Sequence, residues 1–225
     1  MNFKKLVMIT ATAALVCAAM AQGGGQGRRG FGQQGDALQL TSREDVQKDL
    51  ALTDEQKTKL TDLRTAAQGK MREAFQAARD AAGDDQDAMR KAITAAMEKM
   101  QAENQTAIAG ILTADQVKRL KEITVQFVGV RIAATNKEVQ KDLSVTDEQK
   151  AKFAELQTKQ QAAMREAFQN AQGDQAAIRE AMTKNNKIME DEINKILTDA
   201  QKAKLKELGG SKPFVRVDPP AGGGR

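Results

Sequence analysis

The chain has 225 residues, with 35 basic and 30 acidic side chains and a formal net charge of +5 at pH 7. It contains no histidine, tryptophan or tyrosine and a single cysteine, so the usual general bases and nucleophiles are scarce. Charges of both signs alternate along the chain, which is typical of solvated helix surfaces and argues against nucleic acid as a partner.

Residues 1–21 have the three parts of a secretory signal peptide. Lys4 and Lys5 form a short basic segment, residues 6–20 are mainly apolar, and Ala19-Met20-Ala21 offers a cleavage pattern. The apolar part is too short for a stable membrane span. We predict cleavage after Ala21 and a periplasmic or secreted mature protein. The mature chain then has no cysteine, and it keeps 33 basic and 30 acidic residues.

Two segments flank the predicted folded part. Residues 22–40 are rich in glycine and glutamine, which predicts a flexible linker. Residues 209–225 hold all three prolines and are predicted to form a disordered tail. Because no proline interrupts the sequence between them, helices can run long there. Alanine, glutamine, lysine, glutamate, methionine and leucine dominate, and these residues favour helices.

The middle of the chain is a duplication, predicted to form two helical repeats at residues 41–130 and 131–208. Matches in its first part, such as Val46 with Val139, are 93 residues apart, and later ones, such as Leu112 with Leu197, are 85 apart. The second copy therefore lacks eight residues, and the gap falls where Gly83 and Gly173 mark a turn. Four residues lost from each of two arms is about one helical turn per arm.

Within each copy, apolar residues recur every three or four positions and form one narrow stripe per helix. Such stripes suit thin helical hairpins and are too narrow to close a thick core. The predicted fold is therefore all-α: two tandem helical-hairpin repeats, elongated, with disordered termini.

One pattern occurs four times, a leucine or valine, a threonine, two variable residues and a glutamine. It is typical of a helix start, where the threonine and glutamine side chains form a capping box with the first backbone amides. The helix-capping residues predicted in this way are Leu52, Thr53, Gln56, Leu112, Thr113, Gln116, Val145, Thr146, Gln149, Leu197, Thr198 and Gln201.

This Leu-Thr-x-x-Gln motif, present twice in each copy of an exported helical chain, resembles that of the Spy/CpxP family of periplasmic proteins. The resemblance covers roughly residues 42–208. It implies a thin, curved helical cradle that binds unfolded proteins without ATP as a homodimer, or that restrains an envelope-stress sensor kinase. This chain departs from the family in carrying two units, so an internal pseudo-dimer is the alternative to a homodimer.

The inventory of side chains predicts that the protein is not an enzyme and holds no cofactor. Zinc prefers histidine and cysteine ligands, and the predicted mature chain has neither, so no metal is expected. The serines lack the context of a nucleophile elbow, and the carboxylates are spread along polar faces.

The longest identical match between the copies is Met-Arg-Glu-Ala-Phe-Gln. Core packing is the simpler interpretation of its apolar residues. The alternative is a surface that binds client proteins, since methionine repacks against varied partners and arginine attracts acidic segments. The client-binding residues on this hypothesis are Met71, Arg72, Phe75, Met164, Arg165 and Phe168.

We therefore expect a chaperone-like protein that binds unfolded or partly folded exported proteins. One alternative is a regulatory protein that binds one partner, such as the exported domain of a sensor kinase. Another is a structural protein of the envelope stress response. Neither a membrane span nor nucleic acid binding is expected.

Overall fold

The computed structural model describes residues 36–83 and 85–217, and every regular element in these ranges is a helix. The prediction of an all-α fold is confirmed. The predicted signal peptide, residues 1–21, lies outside the described residues. Within the described ranges, no helix combines the length and the apolar character needed to cross a membrane.

The helices follow one another with short connections. In chain order they are α1 (Ala37–Leu40), α2 (Glu44–Asp49), α3 (Asp54–Ala82), α4 (Gln86–Ile111), α5 (Ala114–Val128), α6 (Ile132–Thr135), α7 (Lys137–Asp142), α8 (Asp147–Ala171), α9 (Gln175–Ile196) and α10 (Asp199–Leu208), with a 3-10 turn at Gly129–Arg131 between α5 and α6.

The four long helices pack as two antiparallel pairs, α3 with α4 and α8 with α9. Helix α8 has 25 residues against 29 in α3, and α9 has 22 against 26 in α4. Each arm of the second pair is thus four residues shorter, which is the one-turn difference that the sequence predicts. Gly83 and Gly173 lie at the turns with positive φ angles of 54° and 95°, where glycine avoids a steric penalty.

Two apolar cores lie at the ends of these pairs away from the turns. The first is built on buried leucines, valines and isoleucines of α1 to α5, and the second on α5 to α10. Helix α5 contributes to both, because Leu120 and Ile123 enter the first core and Val125 enters the second. Phe153 of α8 is 2% exposed in the second core and Leu60 of α3 is 1% exposed in the first. These two residues occupy equivalent positions in the copies.

The arms beyond the cores bury very little. Among the described residues from 61 to 103, only Ala78 is buried, and from 154 to 184 no residue is. The reason is the narrow stripe of each helix, which provides one contact line against the partner helix and nothing on the other faces.

The predicted flexible linker at residues 22–40 is wrong for its last residues. Helix α1 begins after Asp36, whose side chain accepts a hydrogen bond from the backbone amide of Leu38. Leu38 and Leu40 are 1% and 2% exposed in the first core. Burial of two leucines stabilises by about 3–6 kcal/mol, which offsets the entropy of ordering so short a segment.

The predicted disordered tail is likewise wrong for residues 209–217, which we call the C-terminal strap. Phe214 packs on the first core, and its backbone amide donates to Oε1 of Gln126 at 2.7 Å. The backbone amide of Val217 donates to the Asp45 carboxylate at 2.9 Å. The strap thus returns from the end of α10 to the first hairpin unit and ties α2 to α5.

Charged side chains hold the strap in place. Arg119 of α5 donates to Asp49 of α2 at 2.7 Å and to the backbone carbonyl of Lys212 at 2.8 Å. The ammonium of Lys212 lies 3.1 Å from Asp49, whose side chain is 14% exposed. Phe127 is covered by the guanidinium groups of Arg43 and Arg216, which lie 5.1 and 4.6 Å from its ring centre.

The hydrogen bond from Arg119 lowers the pKa of the Asp49 carboxyl, and Lys212 adds to this effect while burial opposes it. A carboxyl whose pKa is lowered by folding stabilises the folded state above its unfolded pKa of about 3.9. That stability is lost as the pH falls through the lower, folded-state pKa.

We therefore expect Asp49→Asn to lower the free energy of unfolding by about 1–3 kcal/mol at neutral pH, because the charged hydrogen bonds with Arg119 are weakened. The loss stays in this range because Arg119 keeps Glu122 and the carbonyl of Lys212 as partners. The difference from wild type should shrink as the pH falls below 4. Urea unfolding followed by circular dichroism at several pH values measures both effects. Asp54→Asn is the matched control, since the Asp54 side chain is 98% exposed and its replacement should change little. An Asp49→Asn difference that stays constant down to pH 2 would contradict this account.

Candidate functional site

Each of the four Leu/Val-Thr-x-x-Gln motifs forms a capping box at the start of a helix. The threonine hydroxyl accepts from the backbone amide of the glutamine at 3.2–3.3 Å, and the glutamine Oε1 accepts from the threonine amide at 2.9–3.1 Å. The boxes begin α3, α5, α8 and α10. The sequence pattern therefore marks the starts of these four helices.

The structure also shows a role for the glutamines that the capping pattern alone does not predict. Nε2 of Gln56 donates to Oε1 of Gln116 at 2.7 Å, and Nε2 of Gln116 donates back to Oε1 of Gln56 at 3.1 Å. Gln149 and Gln201 form the same reciprocal pair at 2.8 and 2.9 Å. Each pair joins the start of a hairpin's first arm to the start of the helix that follows its second arm.

Every hydrogen-bonding position of the first pair is used. Besides its bond to Gln116, Nε2 of Gln56 donates to the carbonyl of Ile111 at 3.1 Å, and Nε2 of Gln116 donates to the carbonyl of Leu50 at 3.0 Å. Each Oε1 accepts from its own threonine and from the other glutamine. A fully satisfied amide pair in partly buried surroundings fixes one geometry, because any displacement leaves polar groups without partners.

The predicted client-binding residues lie in the turn-side parts of the first arms, away from both cores. Phe75 and Phe168 are 43% and 51% exposed, so core packing is the wrong interpretation for them. Met71 and Met164 are half-buried, while Arg72 and Arg165 are exposed. Neither arginine makes an ion pair with another residue that the structure describes.

The exposure of the phenylalanines follows from their position beside the stripe. In α3 the half-buried Ala74 and the buried Ala78 face the partner helix, and Phe75 follows Ala74 by about 100° of rotation. Because the residues that face the partner helix are alanines, the two helices can approach closely. The larger ring of Phe75 then lies at the side of the contact, where it is exposed. The second copy repeats this arrangement with half-buried Ala167 and exposed Phe168.

Two further large apolar side chains are exposed on the arms, Met97 at 44% and Ile188 at 48%. The sequence places Met97 on the stripe of α4, so its exposure was not expected. Ile188 precedes the buried Met189 and lies outside the stripe of α9; an apolar residue off the stripe is the signal that could have identified it. We call Phe75, Met97, Phe168 and Ile188 the exposed arm residues.

Comparison with known families gives one result. Residues 21–120 match the family model described as a domain of unknown function, DUF4890. The matched segment is less than half of the chain and ends within α5. No curated protein matches the chain, and no solved structure does so either.

Nothing in the described ranges brings three or more acidic, histidine or cysteine side chains together in a way that suits a metal ion. The candidate site is the set of exposed arm residues, which lie on the long helices that begin or end near the glutamine pairs.

We expect Gln56→Ala and Gln116→Ala each to lower the free energy of unfolding by about 1–3 kcal/mol, because each leaves a carbonyl and an amide without partners. The double variant should lose less than the sum, with a coupling of about 1 kcal/mol. Urea unfolding followed by circular dichroism measures all three variants. Gln68→Ala, at an exposed position of α3, is the control. Strict additivity of the two losses would contradict the paired arrangement.

Proposed function

We propose that the protein is an ATP-independent, chaperone-like protein that binds unfolded or partly folded exported proteins on its arms. The observation that carries the proposal is the exposure of large apolar side chains on the long helices. Three of the four exposed arm residues lie in the outer parts, where only Ala78 of the described residues is buried, and Ile188 lies beside the buried Met189. Phe75, Met97, Phe168 and Ile188 are 43–51% exposed. Large apolar side chains left open on two matching hairpins give other polypeptides apolar surface to bind.

The chemistry of the arms suits weakly specific binding. The apolar residues include methionine, which adapts its shape to varied partners. Arginine and glutamate alternate beside them, as at Arg72-Glu73 and Arg165-Glu166, so clients of either charge find a complementary group. Since both signs are present, we expect the apolar contact to supply most of the affinity.

The resemblance to the Spy/CpxP family supports the same proposal, and so does the signal peptide predicted for residues 1–21. Both arguments come from the sequence. The two hairpins of one chain offer two arm surfaces, which is the basis for proposing an internal pseudo-dimer.

The test is suppression of aggregation of a chemically denatured reporter protein by the purified protein without ATP. We expect suppression at near-stoichiometric ratios. The double variant Phe75→Ala/Phe168→Ala should raise the concentration that gives half-maximal suppression by about tenfold, which corresponds to a loss of 1.4 kcal/mol. Because both rings are about half exposed, the helix content and the midpoint of thermal unfolding should remain close to those of wild type.

The matched control is Gln76→Ala/Gln169→Ala, which alters the exposed residues next to the two rings and should leave suppression unchanged. Absence of suppression by wild type in large molar excess would contradict the proposal. Capture of one dominant, saturable partner from an envelope extract, with no effect on aggregation, would favour a regulatory role instead.

A further inference from the structure

Two surface hollows lie at equivalent positions in the two copies, where a short helix turns into the long first arm. The first has a volume of about 400 Å³ and lies between α2 and α3, and the second has about 560 Å³ and lies between α7 and α8. The first is lined by Glu44, Gln47, Lys48, Ala51, Leu52 and Lys57. The second is lined by the residues 93 positions later, Lys137, Gln140, Lys141, Ser144, Val145 and Lys150.

The backbone at the two corners is the same. Ala51 and Ser144 have φ angles of +48° and +51°, the left-handed region that residues other than glycine rarely adopt. The amide of the next residue, Leu52 or Val145, donates to the carbonyl of Gln47 or Gln140 at 3.0 or 2.9 Å. Differences between the hollows therefore come from their side chains.

In the first hollow the polar groups have partners within the protein. Glu44 lies 3.9 Å from Lys48, and since these side chains are 89% and 81% exposed, the main effect of Glu44 is the negative charge that it adds to the hollow. The side-chain amide of Gln47 donates to the carbonyl of Thr41 at 2.8 Å. Ala51 has no polar side-chain atom. The lining holds two lysines and one glutamate, so its formal charge is +1.

In the second hollow the polar side chains at the equivalent positions are either lysines or groups without a hydrogen-bond partner among the described residues. Lys137 replaces Glu44 and Ser144 replaces Ala51, so the lining holds three lysines and no acid, a formal charge of +3. The side chains of Gln140, Lys141 and Ser144 make no hydrogen bond or ion pair with any residue that the structure describes.

Neighbouring acids offset this charge only in part. Lys150 pairs with Asp147 at 2.8 Å, as Lys57 pairs with Asp54 in the first hollow, so this pair does not distinguish the two. Lys137 pairs with Glu98 of α4 at 2.8 Å, but these side chains are 71% and 48% exposed. Such an exposed pair is weak and is readily exchanged for another partner.

We propose that the second hollow, lined by Lys137, Lys141 and Lys150 with Gln140 and Ser144, binds a phosphate group, free or carried on a lipid headgroup. Ammonium, amide and hydroxyl donors can surround a tetrahedral anion, and lysine acts on phosphate as a point charge. None of the exposed arm residues lines this hollow, and the proposal does not depend on the proposed chaperone function.

The test is a titration of the isotopically labelled protein with inorganic phosphate at constant ionic strength, followed by the backbone amide resonances in nuclear magnetic resonance spectra. We expect saturable shifts at residues 137–150 and none at residues 44–57, so that the first hollow serves as a control within the same molecule. Equal shifts in both hollows, no shifts, or the same shifts with sodium chloride would overturn the proposal.

Two exchange variants give the reciprocal test. Lys137→Glu/Ser144→Ala gives the second hollow the polar lining of the first and should raise the dissociation constant by about tenfold or more, since a positive charge becomes negative. Glu44→Lys/Ala51→Ser should create phosphate-dependent shifts at residues 44–57. Circular dichroism confirms that both variants keep their helices. Unchanged affinity in the first variant would overturn the assignment.

The source of the phosphate is distinguished with vesicles of phosphatidylcholine, with and without phosphatidic acid. Binding only to vesicles that contain phosphatidic acid, lost in Lys137→Glu/Ser144→Ala and inhibited by inorganic phosphate, assigns a lipid headgroup. Phosphate-induced shifts without any vesicle binding assign a soluble phosphate compound.

Discussion

The structure depends on the reciprocal amide pair at the base of each hairpin. Gln56 with Gln116, and Gln149 with Gln201, each join two helix starts that are more than fifty residues apart in the chain. The same glutamines close the capping boxes, so one side chain fixes both the beginning of a helix and its place beside another helix. This double use accounts for the occurrence of the motif twice in each copy.

The arms and the cores divide the molecule into two kinds of surface. Near the glutamine pairs, Leu60 and Phe153 are buried among residues from several helices. Farther along, each arm packs mainly on its partner helix, and large side chains such as Phe168 stay half exposed. A thin hairpin can be stable in this form because its base is anchored, while its outer part gains little from burial. Stability and the proposed binding thus reside in different parts of the same helices.

The sequence predicts the elements that follow from periodicity and capping. The four long helices, the turns at Gly83 and Gly173 and the one-turn difference between the hairpins can all be read from repeats and glycines. The predictions of a flexible linker and a disordered tail, made from composition, are wrong for the parts nearest the helices. The two flanking segments are rich in glycine or contain proline, but they also carry Leu38, Leu40 and Phe214, which pack in or against the first core. Periodicity places both Ala74 and Phe75 near the apolar stripe of α3 and does not tell which of the two faces the partner helix. The exposure of Phe75 and the pairing of the glutamines therefore became visible only in the structure.

The C-terminal strap links the end of the described chain to the first of its two cores. Arg43 donates to the carbonyl of Val217, a contact between residues 174 positions apart, and Phe214 covers a core built mostly from the first third of the chain. The strap is synthesised after both hairpins, so its contacts with the first core form only once the rest of the described chain has been made. A chain that ended after α10 would therefore keep both hairpins and lose the contacts of Phe214 and Val217 with the first hairpin unit.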